Sequence, residues 1–221
     1  GGAGGGGGGG GAGSGADGGG VAGDRVRAVR VRVGERVQEM PARAVVVAMG
    51  PWSGKAANWL RMPKLNVFGQ KYHSVLMRPN RVLSQAVFFQ GLGDPEVYPR
   101  PDGEVYVTGF PDSPEPMREE PGQVQVRPEV AQRLVKTIRQ ISSEFVDAPV
   151  VLEQACHLPI ASGGDPVIGR APALQNAFVA TGHSCWGILN APATGVAIAE
   201  MIVDGKSSSV DVSAFDPSKF M

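Results

Sequence analysis

Residues 178–202, FVATGHSCWGILNAPATGVAIAEMI, change character twice. Phe178 to Thr181 is apolar and suited to a short buried strand. Gly182 and Gly187 then bracket His183-Ser184-Cys185-Trp186, and small apolar residues at helical spacing follow. Strand, glycine-bearing turn and helix in that order indicate an α/β arrangement. Pro192 is compatible only with the opening of a helix, so the spacing predicts a start at about Asn190, with Asp204-Gly205 as the stop. The N–H groups of Gly187, Ile188 and Leu189 would then be free at the positive end of the helix dipole, a place for an anion or an electron-rich carbonyl. Gly195 and Ala199 add a small-residue face for close packing against a sheet or a planar ligand.

The rest of the chain supports a mixed α/β (α+β) reading. Order is expected from Asp24, where valines alternate loosely with Arg25, Arg27, Arg30 and Arg32 up to a turn at Gly34-Glu35, giving a hairpin with a solvated basic face. Ala44 to Met49 is an apolar strand ended by Gly50-Pro51, as at the carboxyl end of a ligand-binding sheet. A short helix or turn containing Trp52 and Trp59 follows, with Ser53 as its N-cap. From Leu65 to Phe110 the pattern is antiparallel β, including a hairpin turned at Pro101-Asp102-Gly103. Pro111 to Pro121 reads as an exposed loop, and Pro128 opens a helix to about Glu144. VVLEQACHLPIA is a strand that begins the return to the first sheet. The expected segments are 1–23 as a disordered glycine-rich tract, 24–60 as the first part of one domain, 61–149 as a second domain inserted in it, 150–206 as the remainder of the first, and 207–221 as a tail.

Composition narrows the function. Twenty-one basic residues balance 21 acidic ones, so no net field draws the chain to nucleic acid or to an anionic membrane. No apolar run is expected to reach the roughly 20 residues of a membrane span. Two cysteines form no disulfide framework and favour a reducing, intracellular and cytoplasmic setting. Fifteen of the first 20 residues are glycine, which satisfies G-x-G-x-x-G only trivially, since no strand precedes the tract and no helix follows it. The chain therefore reads as the C-terminal part of something longer.

The polar turn admits two further readings. Cys156-His157 and His183-Ser184-Cys185 supply four soft ligands, but neither pair has zinc-site spacing, and adjacent side chains on a strand point to opposite faces. No metal site is expected. Cys185 as a nucleophile with His183 as base is chemically sounder, because a helix N-terminus lowers a thiol pKa.

AVVVAMGPWS, YPRPDGEVYVTGF, LPIASGGDPVIGRAP and NAFVATGHSCWGILNAPATGVAIAEMIVDG, in this order, resemble the FAD-dependent oxidoreductases of the D-amino-acid oxidase and glycine oxidase superfamily, and most closely the oxidoreductase branch known from yeasts and plants. The resemblance covers about residues 24 to 215. It implies the C-terminal part of a two-domain flavoprotein, an FAD-binding sheet-and-helix portion carrying an inserted antiparallel substrate domain, with the N-terminal βαβ unit missing. It also implies FAD as cofactor and hydride transfer to flavin N5 from a C–H bond beside nitrogen in an amine or amino-acid-type substrate. Gly50 and Trp52 would lie near the adenosine portion, and Gly182, His183, Gly187, Ile188 and Leu189 against the ring. His183, Cys185 and Trp186 would line its substrate side. The free N–H groups would stabilise negative charge at flavin N1 and the C2 carbonyl.

The departures matter equally. Leu158 stands where the amino-acid oxidases carry an arginine for the substrate carboxylate, and Ser184-Cys185-Trp186 where glycine oxidase-like members carry a second; Arg170 and His73 are the available substitutes. The expected partners are a small-molecule substrate together with a protein partner or the missing N-terminal half. The alternative reading is a non-catalytic interaction or trafficking factor that retains the flavoprotein fold.

Overall fold

The alternating valines build a hairpin, as expected. In a computed structural model describing residues 24–112, 117–119 and 121–221, β1 (Ala28–Val33) pairs antiparallel with β2 (Arg36–Pro41). Gly34 takes φ +60° in the turn between them, a conformation that glycine adopts without strain. The glycine tract and residues 113–116 and 120 of the acidic, proline-rich loop lie outside the described residues.

The apolar run before Gly50 becomes β3 (Val45–Val47), an edge strand. It runs parallel to β10 (Ala177–Thr181), which pairs antiparallel with β9 (Val167–Arg170), giving a three-stranded sheet ordered β3-β10-β9. Asn176 docks the first hairpin onto this sheet. Its side chain accepts from the Val26 N–H and donates to the carbonyls of Val26 and Arg43, all at 2.8 Å. Buried amide groups of this kind are stable only when paired in this way.

Gly50–Ala56 forms a 3-10 turn that runs into α1 (Ala57–Leu60). Ser53 is not the expected N-cap: it lies inside the turn, fully buried, and its hydroxyl has no partner among the described residues.

A second sheet carries five strands in the order β5-β6-β7-β4-β8, all neighbours antiparallel. They are β4 (Val67–Met77), β5 (Val87–Phe88), β6 (Glu96–Pro99), β7 (Val105–Gly109) and β8 (Val150–Ala161). The amphipathic helix α2 (Pro128–Ile141) covers one face, setting Ala131, Leu134, Val135 and Ile138 against Val75, Met77, Val105 and Val107. Each such side chain contributes about 1.5–3 kcal/mol of burial. The helix ends earlier than the spacing predicted and passes into a 3-10 turn, Ser143–Phe145, where the Ser142 hydroxyl accepts from the Glu144 N–H at 3.3 Å.

One segment boundary differs from expectation. β8 pairs with β4 along its length, from Val67 opposite Ala161 to Met77 opposite Val150, so residues 150–161 belong to the five-stranded sheet. The chain returns to the three-stranded sheet only at β9. The tail, residues 207–221, is held against the rest of the chain. Glu200 accepts from the N–H groups of Ser208 and Ser209 (2.7 and 3.0 Å), the Lys64 N–H donates to the Phe220 carbonyl at 3.2 Å, and the Phe220 side chain packs on the core around Val47 and Leu60.

The helix after the polar turn, α3 (Gly187–Val203), begins three residues before the expected Asn190. Pro192 therefore sits inside it, where it forgoes one hydrogen bond to the preceding turn. The stretch Ser184–Val203 has 20 residues and contains an 18-residue window of mean hydropathy 1.3, long and apolar enough by composition alone to span a bilayer, as helices that pack on a protein core also can be. Part of this helix is already committed to the sheet: Ala197 and Ile198 pack against Ile168 and Phe178.

Candidate functional site

β3 and β10 run in the same direction and end side by side, each followed by a glycine in the left-handed region, Gly50 at φ +54° and Gly182 at φ +78°. The Thr181 hydroxyl, buried at the end of β10, donates to the Gly50 carbonyl at 3.1 Å and fixes the two ends to one another. A Cβ on Gly182 would stand 3.0 Å from that of Ala161, so this turn needs glycine for both conformation and space. The parallel carboxyl ends and glycine turns form the kind of crevice in which α/β sheets bind ligands.

Beyond Gly182, Ser184–Trp186 forms a 3-10 turn leading into α3. His183 precedes this turn as its N-cap residue. Its Nε2 lies 3.0 Å from the hydroxyl of Thr194, which is buried, and His183 itself bridges to Ile160 of β8. Burial lowers its pKa, which favours the neutral ring. With Nε2 directed to Thr194, His183 is tied to α3, and no hydrogen bond joins it to Cys185 among the described residues. Cys185 and Trp186 are exposed beside it.

No side chain caps α3. Its first turn therefore presents the N–H groups of Gly187, Ile188 and Leu189, and the Ile188 side chain is 95% exposed. A Cβ on Gly187 would meet only His183, at 3.6 Å. This donor set fits the carbonyl edge of a flavin: three convergent N–H groups at a dipole's positive end, with little bulk over them. The early start of α3 places these groups in its first turn. Trp52 has a different task, since its Nε1 donates to the Arg118 carbonyl at 2.8 Å and holds residues 117–119 against the turn after Gly50.

The turn faces the five-stranded sheet on the side opposite α2. Strand register places Tyr72 of β4, Glu96 and Tyr98 of β6, Tyr106 of β7, and Cys156 and Leu158 of β8 on that face. The Tyr98 hydroxyl donates to Glu96 Oε2 at 2.7 Å. The rings of Phe88 and Tyr98 meet edge to face at 5.4 Å, and those of Tyr98 and Tyr106 lie 6.1 Å apart. Burial pushes the Tyr72 hydroxyl up, with Cys185, Glu96 and Asp94 adding to it. Tyr98 is pushed up by burial, then by its bond to Glu96, with Cys185 again contributing. The bridge between His183 and Ile160 brings the polar turn against β8, at the edge of this face.

The two substitutes for the absent arginine clamp are elsewhere. His73 is fully buried on the α2 side of β4, where its Nε2 accepts from the Arg127 N–H at 2.9 Å and its Nδ1 stands 3.5 Å from Asp112 Oδ2. Arg127 also pairs with that carboxylate, so the three residues close the long loop onto the sheet. The Arg170 guanidinium lies 5.6 Å over the Phe178 ring and reaches the Met201 and Gly205 carbonyls. The sequence had no local signal for the Glu96–Tyr98 pair as a site, because the pair becomes one only through the strand register.

The same fold recurs in solved flavoenzymes. Glycine oxidase from Geobacillus kaustophilus superposes with a TM-score of 0.72 at 23% identity, covering 83% of this chain and 47% of that one. L-Proline dehydrogenase from P. horikoshii gives 0.72 at 20% identity, covering 82% and 48%. In sequence, two yeast proteins named as oxidoreductases are similar. The one from Schizosaccharomyces pombe is 34% identical over 194 residues, 82% of this chain and 47% of its own length. TDA3 of Saccharomyces cerevisiae is 32% identical over 187 residues, 80% and 34%. The chain thus spans less than half the length of the curated relatives it matches. Residues 16–201 match the family described as FAD dependent oxidoreductase, and the chain belongs to that family, with FAD as its cofactor.

Proposed function

We propose that this chain forms the ring-side half of an FAD-dependent oxidoreductase acting on a CH–N bond, and that the remaining contacts to FAD come from a segment outside residues 24–221. The observation that carries this reading is the uncapped first turn of α3, held by Gly182 and His183 opposite the tyrosine-bearing face of the five-stranded sheet. When bound, FAD supplies the two-electron oxidation, taking up the hydrogen and electron pair of the C–H bond while a C=N bond forms in the substrate. The chain supplies positioning and electrostatics. Gly187, Ile188 and Leu189 donate N–H groups to the carbonyl edge, which favours the reduced, more negative ring. Gly182 permits close approach, His183 fixes the turn through Thr194, and Cys185 and Trp186 border the substrate space. Two free, exposed cysteines are in keeping with a reducing, cytoplasmic setting.

Anaerobic mixing of the longer, flavin-loaded protein with primary, secondary and tertiary amines tests the reading. Bleaching of the oxidised-flavin absorbance by at least one class is expected. A flavin that is bound but reduced by none of them, nor by amino acids, would remove the CH–N assignment.

A further inference from the structure

Glu96 is a half-buried carboxylate in the five-stranded sheet, and no cation pairs with it among the described residues. Its recorded partner is a neutral hydroxyl, that of Tyr98 at 2.7 Å. A half-buried carboxylate whose side-chain partner is a hydroxyl leaves room for a positive charge beside it. Aromatic rings share its face: Tyr98, with Phe88 packed on it edge to face, and Tyr72 further along, opposite Cys156 of β8. Aromatic faces beside a carboxylate are the standard recognition surface for an organic ammonium.

The charges that could oppose this lie elsewhere or are already neutralised. Arg100 covers Tyr106 at 5.9 Å but is paired with Glu104 at 3.7 Å. Lys71 points to the α2 side of β4, as the alternation of the strand requires. The strand positions of this face carry no lysine or arginine, and Leu158 is apolar. A carboxylate-bearing substrate would meet an acid and hydroxyls here, with no guanidinium to receive it.

Resting on the flavoenzyme reading above, we propose that the substrate is a cationic amine without a carboxylate, whose ammonium is received by Glu96 and the faces of Tyr98 and Tyr72. The amine docks as its ammonium and passes one N–H proton to Glu96, which frees the nitrogen lone pair to form the C=N bond as hydride leaves the neighbouring carbon, held between the tyrosine face and the polar turn of residues 182–187.

Three molecules of nearly one shape test this by charge alone: choline, neutral 3,3-dimethylbutan-1-ol and anionic 3,3-dimethylbutanoate. Their methyl resonances are followed by saturation-transfer NMR on the longer protein, with and without flavin. Choline is expected to bind, the alcohol about tenfold more weakly and the anion not at all. Glu96→Gln should bring choline down to the level of the alcohol. Tyr98→Phe, which keeps the ring, should retain choline binding, and Tyr98→Leu should lose it. Binding of the anion as strong as that of choline, no binding of choline, or indifference of choline to Glu96→Gln would each overturn the proposal. Flavin reduction by amines is read separately. Choline binding without any reduction would refute the redox reading alone, and amine reduction with charge-blind binding would refute this inference alone.

Discussion

Where α2 crosses the five-stranded sheet, Val75, Val107, Leu134 and Ile138 are fully buried. Around the three-stranded sheet, Val46 on β3 is exposed, as are Ile188, Leu189, Val196 and Val203 on α3. An apolar groove of about 460 Å³ opens beside β3, lined by Val29, Val45, Val47, Met49 and Trp59 among others. The first region satisfies its own side chains. The second has an open parallel edge and a helix only partly covered, features associated with surfaces that receive something more. The core between α2 and the five-stranded sheet is thus closed, although Phe88 and Leu152 at that sheet's outer strands are exposed, whereas the three-stranded sheet is open along β3 and over much of α3.

Substitutions should separate the two regions. Leu134→Ala, in the complete core, should cost about 2–5 kcal/mol in chemical denaturation, whereas Ile188→Ser should stay within about 0.5 kcal/mol in the same chain. An equal cost at both positions would erase the distinction. Gly182→Ala falls between them, at roughly 1–3 kcal/mol, because it forces a side chain into left-handed backbone 3.0 Å from the Cβ of Ala161. It should also loosen FAD in the longer protein.

The smallest effect is one of pH. Burial lowers the pKa of both His73 and His183, so the unfolded chain takes up protons that the folded one resists. Their contribution is present above the unfolded histidine pKa of about 6.5 and is lost as pH falls through it. Urea midpoints should drop between pH 7.5 and 5.5, and His183→Gln should flatten part of that slope. A midpoint that rises over this interval would contradict the burial of both rings.

Local pattern made much of this legible. The alternation in β1, the Pro101-Asp102-Gly103 hairpin and the 3.6-residue spacing of α2 depend on neighbouring residues, and they form as read. The family and its cofactor followed from four motifs in order. What escaped depends on contacts distant in sequence. β8 was assigned to the wrong sheet because its apolar run does not say which strand it will pair with. Pro192 suggested a late helix start, yet the neighbouring backbone tolerates it one turn further in. The tyrosine face with Glu96 is invisible until β4, β6 and β7 are aligned, and His73, Asp112 and Arg127 meet only through the long loop.

The central claim is that the first turn of α3 serves the flavin. It is tested most directly by Ile188→Pro in the longer, FAD-loaded protein. Proline is accepted in the first turn of a helix but removes one N–H. With the fold intact by circular dichroism, the flavin midpoint potential should fall by roughly 30–60 mV, the loss of one hydrogen bond to a charged acceptor. A potential unchanged from that of the parent protein would mean that α3 does not touch the ring.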